Sequence, residues 1–117
     1  MKTMTDYIHA KGLKAGTYIG PGPMTCARYE GSYQHERQDA LTFAAWGFDF
    51  LKYDWCSYRN IAKGSTLDDY RAPYKFMWDE LQKLDRDIVF NLCQYGMGEV
   101  WKWGAEVGHC WRTTGDL

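Results

Sequence analysis

Two short stretches of this chain carry residue types able to do acid–base or nucleophilic chemistry. The first is Leu51-Lys52-Tyr53-Asp54-Trp55-Cys56. The run Phe48–Tyr53 reads as a buried strand because it is rich in aromatic residues. Side chains alternate along a strand, so Phe48, Phe50, Lys52 and Asp54 share one face. Lys52 then places a cation beside the Asp54 carboxylate, which favours the ionised acid. The second stretch, Trp111-Arg112-Thr113-Thr114-Gly115-Asp116, also ends in an acid. If it is extended, Arg112, Thr114 and Asp116 share a face. Two carboxylates brought together from separate strands can cleave a glycosidic bond, one attacking the sugar and the other protonating the departing oxygen. A pair of structural ion pairs, Lys52 with Asp54 and Arg112 with Asp116, is the competing reading. On spacing alone the two weigh the same.

The elements around these stretches alternate. Met4, Tyr7 and Ile8 have helical spacing, and Gly12 suits the helix end. Ala15–Ile19 reads as a strand, and Gly20-Pro21-Gly22-Pro23 forces a turn that lacks the spacing of a phosphate-binding loop. Ser32 is placed to cap a helix running to Trp46 and stopping at Gly47. After the Phe48–Tyr53 strand and a loop from Ser57 to Ser65, Thr66 with Asp69 marks the next helix start. Tyr70, Tyr74, Met77, Trp78, Leu81 and Leu84 form that helix's apolar stripe, with Pro73 expected in its first turn or at its start. Asp87–Leu92 reads as a strand, and a short helix is expected within Trp101–Val107. Strand alternating with helix is the grammar of a parallel sheet. A carboxylate at a strand's carboxyl end is how parallel (β/α)8 barrels build active sites. Such a barrel takes about 250 residues, so 117 residues predict an α/β fragment, about half of one.

The wording around the two acids is specific. Gly12-Leu13-Lys14-Ala15-Gly16-Thr17-Tyr18, Met24-Thr25-Cys26, Gln38-Asp39-Ala40 and Phe43-Ala44-Ala45-Trp46-Gly47 come first. Lys52-Tyr53-Asp54-Trp55-Cys56, Leu92-Cys93-Gln94-Tyr95-Gly96 and Trp111–Asp116 follow. In this order they resemble glycoside hydrolase family 27, the melibiases or α-galactosidases, over nearly the whole chain. The resemblance implies a partial catalytic barrel, residues 1–117, from the end of the second helix to the sixth strand. It implies a retaining glycosidase that releases terminal α-linked galactose without metal or cofactor, with Asp54 as nucleophile and Asp116 as acid/base. Tyr18, Cys26, Lys52, Gln94 and Arg112 match positions that contact the terminal sugar. Gln94 stands where the family commonly has Glu to hold the 2-hydroxyl. Another family activity is the nearest alternative: β-L-arabinopyranosidase, α-N-acetylgalactosaminidase or isomaltodextranase. A non-catalytic sugar-binding remnant of a barrel is the alternative from a different class. The family's sugar-gripping aspartates of the second strand lie upstream of Met1, so the segment by itself is expected to be inactive.

The resemblance also implies a Cys26–Cys56 disulfide, with Cys93 and Cys110 either bonded or free. Disulfides imply an oxidising compartment, hence a secreted or periplasmic parent protein. The four cysteines lack the close pairs of a zinc site. A net charge of −1 with no basic block argues against nucleic acid. No apolar run reaches the roughly 18 residues of a membrane span, and Met1–Asp6 has no apolar stretch like a signal peptide. The sequence leaves the oligomeric state open. Most of the aromatic side chains are expected in the core. His9, His35 and His109 read as surface residues, Asp39 and Asp49 as solvated or helix-facing, and Asp85-Arg86-Asp87 as a polar loop.

Overall fold

The computed structural model describes all of residues 1–117. In chain order the elements are α1 (Lys2–Ala10), β1 (Gly16–Ile19), α2 (Glu36–Trp46), β2 (Phe50–Asp54), α3 (Leu67–Leu81), β3 (Val89–Cys93), α4 (Gly104–Val107) and β4 (Cys110–Trp111). Tight 3-10 turns follow β2 at Cys56–Asn60 and β3 at Met97–Lys102. The four strands form one parallel sheet in the order β1-β2-β3-β4. Each neighbour in space is also the next strand in sequence, which is how a barrel wall is wound. The expected α/β architecture is therefore present as a section of barrel wall.

The register sorts the side chains into two faces. Tyr18 lies opposite Lys52, Lys52 opposite Asn91, and Asp54 opposite Cys93. These point to one side, and Leu51, Tyr53, Phe90 and Leu92 point to the other, where helices cover them. All four of those are fully buried, together with Tyr74 and Met77 of α3. Tyr53 meets Tyr74 edge-on with ring centroids 5.9 Å apart. Burying each such large apolar side chain contributes roughly 1.5–3 kcal/mol, so this layer anchors the sheet that carries Asp54.

α3 begins as its sequence predicts. Thr66 Oγ1 accepts from Asp69 N and the Asp69 carboxylate accepts from Thr66 N, a complete capping box. Pro73, however, lies in the helix interior and not in the first turn. It is buried, and it withholds the N–H that would have reached the Asp69 carbonyl. α2 begins at Glu36, not after Ser32. The buried Ser32 hydroxyl donates to the Asp39 carboxylate at 2.6 Å, so it is not available to cap the backbone. The end of α2 is as expected: Gly47 adopts φ 84°, a left-handed turn that glycine enters without penalty.

Asp49 faces helix α1, His9 is half-buried against it, and His109 stays exposed. Asp49 accepts from Ala15 N at 2.8 Å, His9 Nε2 lies 2.7 Å away, and Arg86 pairs with it at 2.7 Å. One carboxylate thus ties α1, the entry to β1 and the loop before β3 together at the amino ends of the strands. Burial alone would raise its pKa. The Ala15 amide, His9 and Arg86 outweigh that and hold it below the ordinary value. His109 accepts from Phe90 N through Nδ1 at 2.9 Å and packs edge-on against Trp78.

Candidate active site

The acid of β2 is delivered where the alternation puts it. Asp54 is 4% exposed at the carboxyl end of its strand. Its Oδ1 accepts from Trp55 N at 2.8 Å, and its Oδ2 faces Lys52 Nζ at 3.7 Å. One oxygen is thereby fixed by backbone, and the other is turned to the open face beside a cation. The two residues share a face because they are two apart on one strand, as the sequence implies.

A disulfide closes over this carboxylate. Cys26 and Cys56, from the loops after β1 and β2, are bonded as the resemblance implied. Cys56 Sγ lies 3.5 Å from Asp54 Oδ1. The Tyr95 hydroxyl approaches both sulfurs at 3.5 Å, and the Tyr18 hydroxyl lies 3.6 Å from Cys56 Sγ while accepting from Cys26 N. Lys52 Nζ sits 5.5 Å from the centre of the Tyr18 ring. Both phenols titrate above their ordinary value. Burial is the main cause in each, and the Asp54 carboxylate adds to it, so they remain neutral hydrogen-bonding groups. The two sulfurs and the Asp54 carboxylate lie within 4.8 Å of one another. Metal ligation needs thiolates, and sulfurs bonded to each other have none to offer.

β3 and the turn after it bring Cys93 and Tyr95 beside the Asp54 cluster. Cys93 is the register partner of Asp54 and carries a free thiol, which burial and then the Asp54 charge keep protonated. Cys110 is also free and stands opposite Asn91, two positions from Cys93's level, so these cysteines do not pair. Gln94 is 0% exposed, and neither end of its amide has a hydrogen-bond partner. The strand period carried on from Asn91 would have put Cys93 on the Asp54 side. Tyr95 reaches that side through a left-handed backbone, φ 61°, followed by Gly96 at φ 77°. A side chain at Gly96 would strike the Thr113 carbonyl at 2.1 Å, so this turn packs directly on the segment after β4.

That segment carries the second acid. β4 ends at Trp111, although Arg112 N still donates to Leu92 O at 3.0 Å. Beyond it the chain leaves the strand, so Arg112, Thr114 and Asp116 are not aligned by strand alternation. Arg112 instead curls onto Asp116, Nη1 to Oδ1 at 2.7 Å, and lies over the Tyr95 ring at 5.5 Å. Asp116 is exposed and pairs with Arg112, not with Asp54. The structure therefore brings Tyr18, Cys26, Lys52, Asp54 and Cys56 into one cluster, joined through Tyr95 to Arg112 and Asp116.

A section of parallel barrel wall with a buried carboxylate at a strand's carboxyl end defines a class, the (β/α)8 barrels. Residues 1–112 match the family described as alpha galactosidase A, and the chain belongs to that family. It is 46% identical over its whole length to alpha-galactosidase A of Cellvibrio japonicus and covers 27% of that protein. It is 44% identical to the alpha-galactosidase of Coffea arabica, covering 29% of it. The crystal structure of alpha-galactosidase I from Mortierella vinacea superposes on 98% of the chain with a TM-score of 0.93 at 37% identity, and the chain covers 28% of it. The chain thus spans little more than a quarter of the relatives it matches.

Proposed function

We propose that this chain is the central part of the catalytic barrel of a retaining glycosidase that releases terminal α-linked galactose. Asp54 attacks the anomeric carbon, and Asp116 protonates the leaving oxygen and then activates water. The observation that carries the reading is Asp54 itself. It is buried at a strand end, anchored by Trp55 N, and its second oxygen is open beside Lys52. A nucleophile needs this arrangement, with one oxygen positioned and the other free to form the bond. Tyr18, Cys26, Lys52 and Arg112 line the sugar, with Tyr95 beside them. The proposed steps call only on these residues and a water molecule. The Arg112–Asp116 pair is the resting partner of an acid that substrate would displace. No helix is long and apolar enough to cross a membrane. The disulfide beside the nucleophile supports a secreted or periplasmic setting.

The test is the complete open reading frame, purified and assayed on a panel of nitrophenyl α- and β-glycosides. The α-galactoside should turn over fastest. Asp116→Ala should lower that turnover about 10²–10⁴-fold, as for loss of a general acid. Faster cleavage of a β-L-arabinopyranoside would move the assignment to that sister activity. A complete barrel that binds galactose and cleaves none of the panel would establish the sugar-binding reading instead.

A further inference from the structure

The loops after β1 and β2 border an open cleft of about 610 Å³ outside the Asp54 cluster. One wall is the Cys26–Cys56 disulfide, whose other side touches Asp54. Arg28, Arg59 and Asn60 line the rest with Ser57, and no carboxylate does. Arg71, Arg86 and Arg112 are each held by an acid. Arg28 and Arg59 make no ion pair and present their charge to the cleft uncompensated.

Both arginines stand on fixed backbone. Arg28 adopts φ 65°, a left-handed conformation that is unfavourable for a residue with a Cβ. It is held in a turn closed by Arg28 N to Thr25 O and Thr25 N to Tyr29 O, with Met24 bridging Glu30. Strain of this kind persists where the surroundings over-determine it, and it concentrates at ligand clamps. Arg59 Nε donates to Cys56 O at 3.0 Å, which leaves its two terminal nitrogens for another acceptor. The Ser57 hydroxyl bonds both backbone groups of Met24, so the two loops move as one piece.

We propose that this cleft binds an oxyanion, a carboxylate or a phosphate, carried on the leaving group of the galactoside. The proposal rests on the galactosidase reading of Asp54. With the terminal sugar on the Asp54 face, whatever reaches the outer side of the disulfide is the part of the substrate that projects toward solvent. That part is the leaving group. Guanidinium groups suit carboxylate and phosphate because their N–H donors match two oxygens at once. Two uncompensated cations in one cleft repel, and a bound anion relieves that repulsion as it gains hydrogen bonds.

The experiment compares kcat/KM of the complete enzyme on α-galactosyl glycerol, α-galactosyl glycerate and α-galactosyl glycerol phosphate, with nitrophenyl α-galactoside as the reference. At low salt one or both anionic substrates should exceed the neutral one by about tenfold. The better of the two identifies the oxyanion. The excess should collapse in about 1 M salt, where the screening length falls to roughly 3 Å. Arg28→Gln and Arg59→Gln should each lower the anionic-to-neutral ratio about fivefold. The salt series on the unaltered enzyme tests the same point should either variant fail to fold. Equal kcat/KM for all three glycerol substrates, or a salt-independent excess, would overturn the cleft assignment and leave the galactosidase reading standing. No hydrolysis of any of the four substrates would overturn that reading, and the cleft proposal with it.

Discussion

Asp49→Ala should destabilise the barrel by loosening the amino ends of its strands, at the opposite end of the sheet from Asp54. Ala15 is 1% exposed, so its N–H loses the Asp49 acceptor with no water to replace it. An orphaned buried amide costs about 1–3 kcal/mol. Arg86 keeps its bonds to the Gly47 and Phe48 carbonyls, so the lost ion pair adds only about 0–1 kcal/mol. The sum is about 1–4 kcal/mol. At a urea slope of about 3 kcal/mol per molar this is a midpoint lower by roughly 0.3–1.3 M. Asp49→Asn keeps an acceptor for Ala15 and loses only the charge, about 1 kcal/mol. The folded-state pKa of Asp49 is lowered. Its contribution is therefore complete above the unfolded value near 4 and is lost as pH falls through the folded one. Urea melts of the complete protein should show the gap between wild type and Asp49→Asn at about pH 7 narrowing toward about pH 3. A gap as wide in acid as at neutrality, or no effect of Asp49→Ala, would refute the reasoning.

Product stereochemistry should be retained: proton NMR of the first turnovers should show α-galactose appearing before its β anomer. An initial β signal would rule out the double displacement. Gln94→Met should leave sugar preference across galactosides and arabinosides unchanged and stabilise the fold by about 1 kcal/mol, because it removes two buried polar atoms that have no partner. A changed preference would return Gln94 to the sugar site. Tyr95→Ala should shift that preference, since its ring and hydroxyl sit between the disulfide and Arg112; equal losses on every glycoside would make it a packing residue only.

What the sequence discloses here is set by range. Lys52 and Asp54 are two residues apart on one strand, so their common face follows from local geometry. The Thr66–Asp69 capping box and the Tyr74–Met77–Leu81 stripe are equally local, and both appear where the pattern puts them. Capping rules place the start of α2 too early because Ser32 has another partner, the Asp39 side chain, which they do not weigh. Asp49 gathers His9 from 40 residues away and Arg86 from 37, so no window along the chain reveals that cluster. The motif draws attention to Gln94, while the strand period and register put its neighbour Cys93 opposite Asp54. The family wording supplied the disulfide, because the loops holding Cys26 and Cys56 become neighbours only when β1 pairs with β2.

The most direct test of the central claim is azide rescue of Asp54→Ala in the complete enzyme. Removing the carboxylate takes away the attacking oxygen and opens space on the β face of the sugar for a small anion. With an activated α-galactoside, turnover without azide should be nearly abolished. Added azide should restore release of the nitrophenolate and yield β-galactosyl azide, the product of a single displacement from the face Asp54 occupied. Ordinary activity of Asp54→Ala without azide, or an α-galactosyl azide product, would show that Asp54 is not the nucleophile.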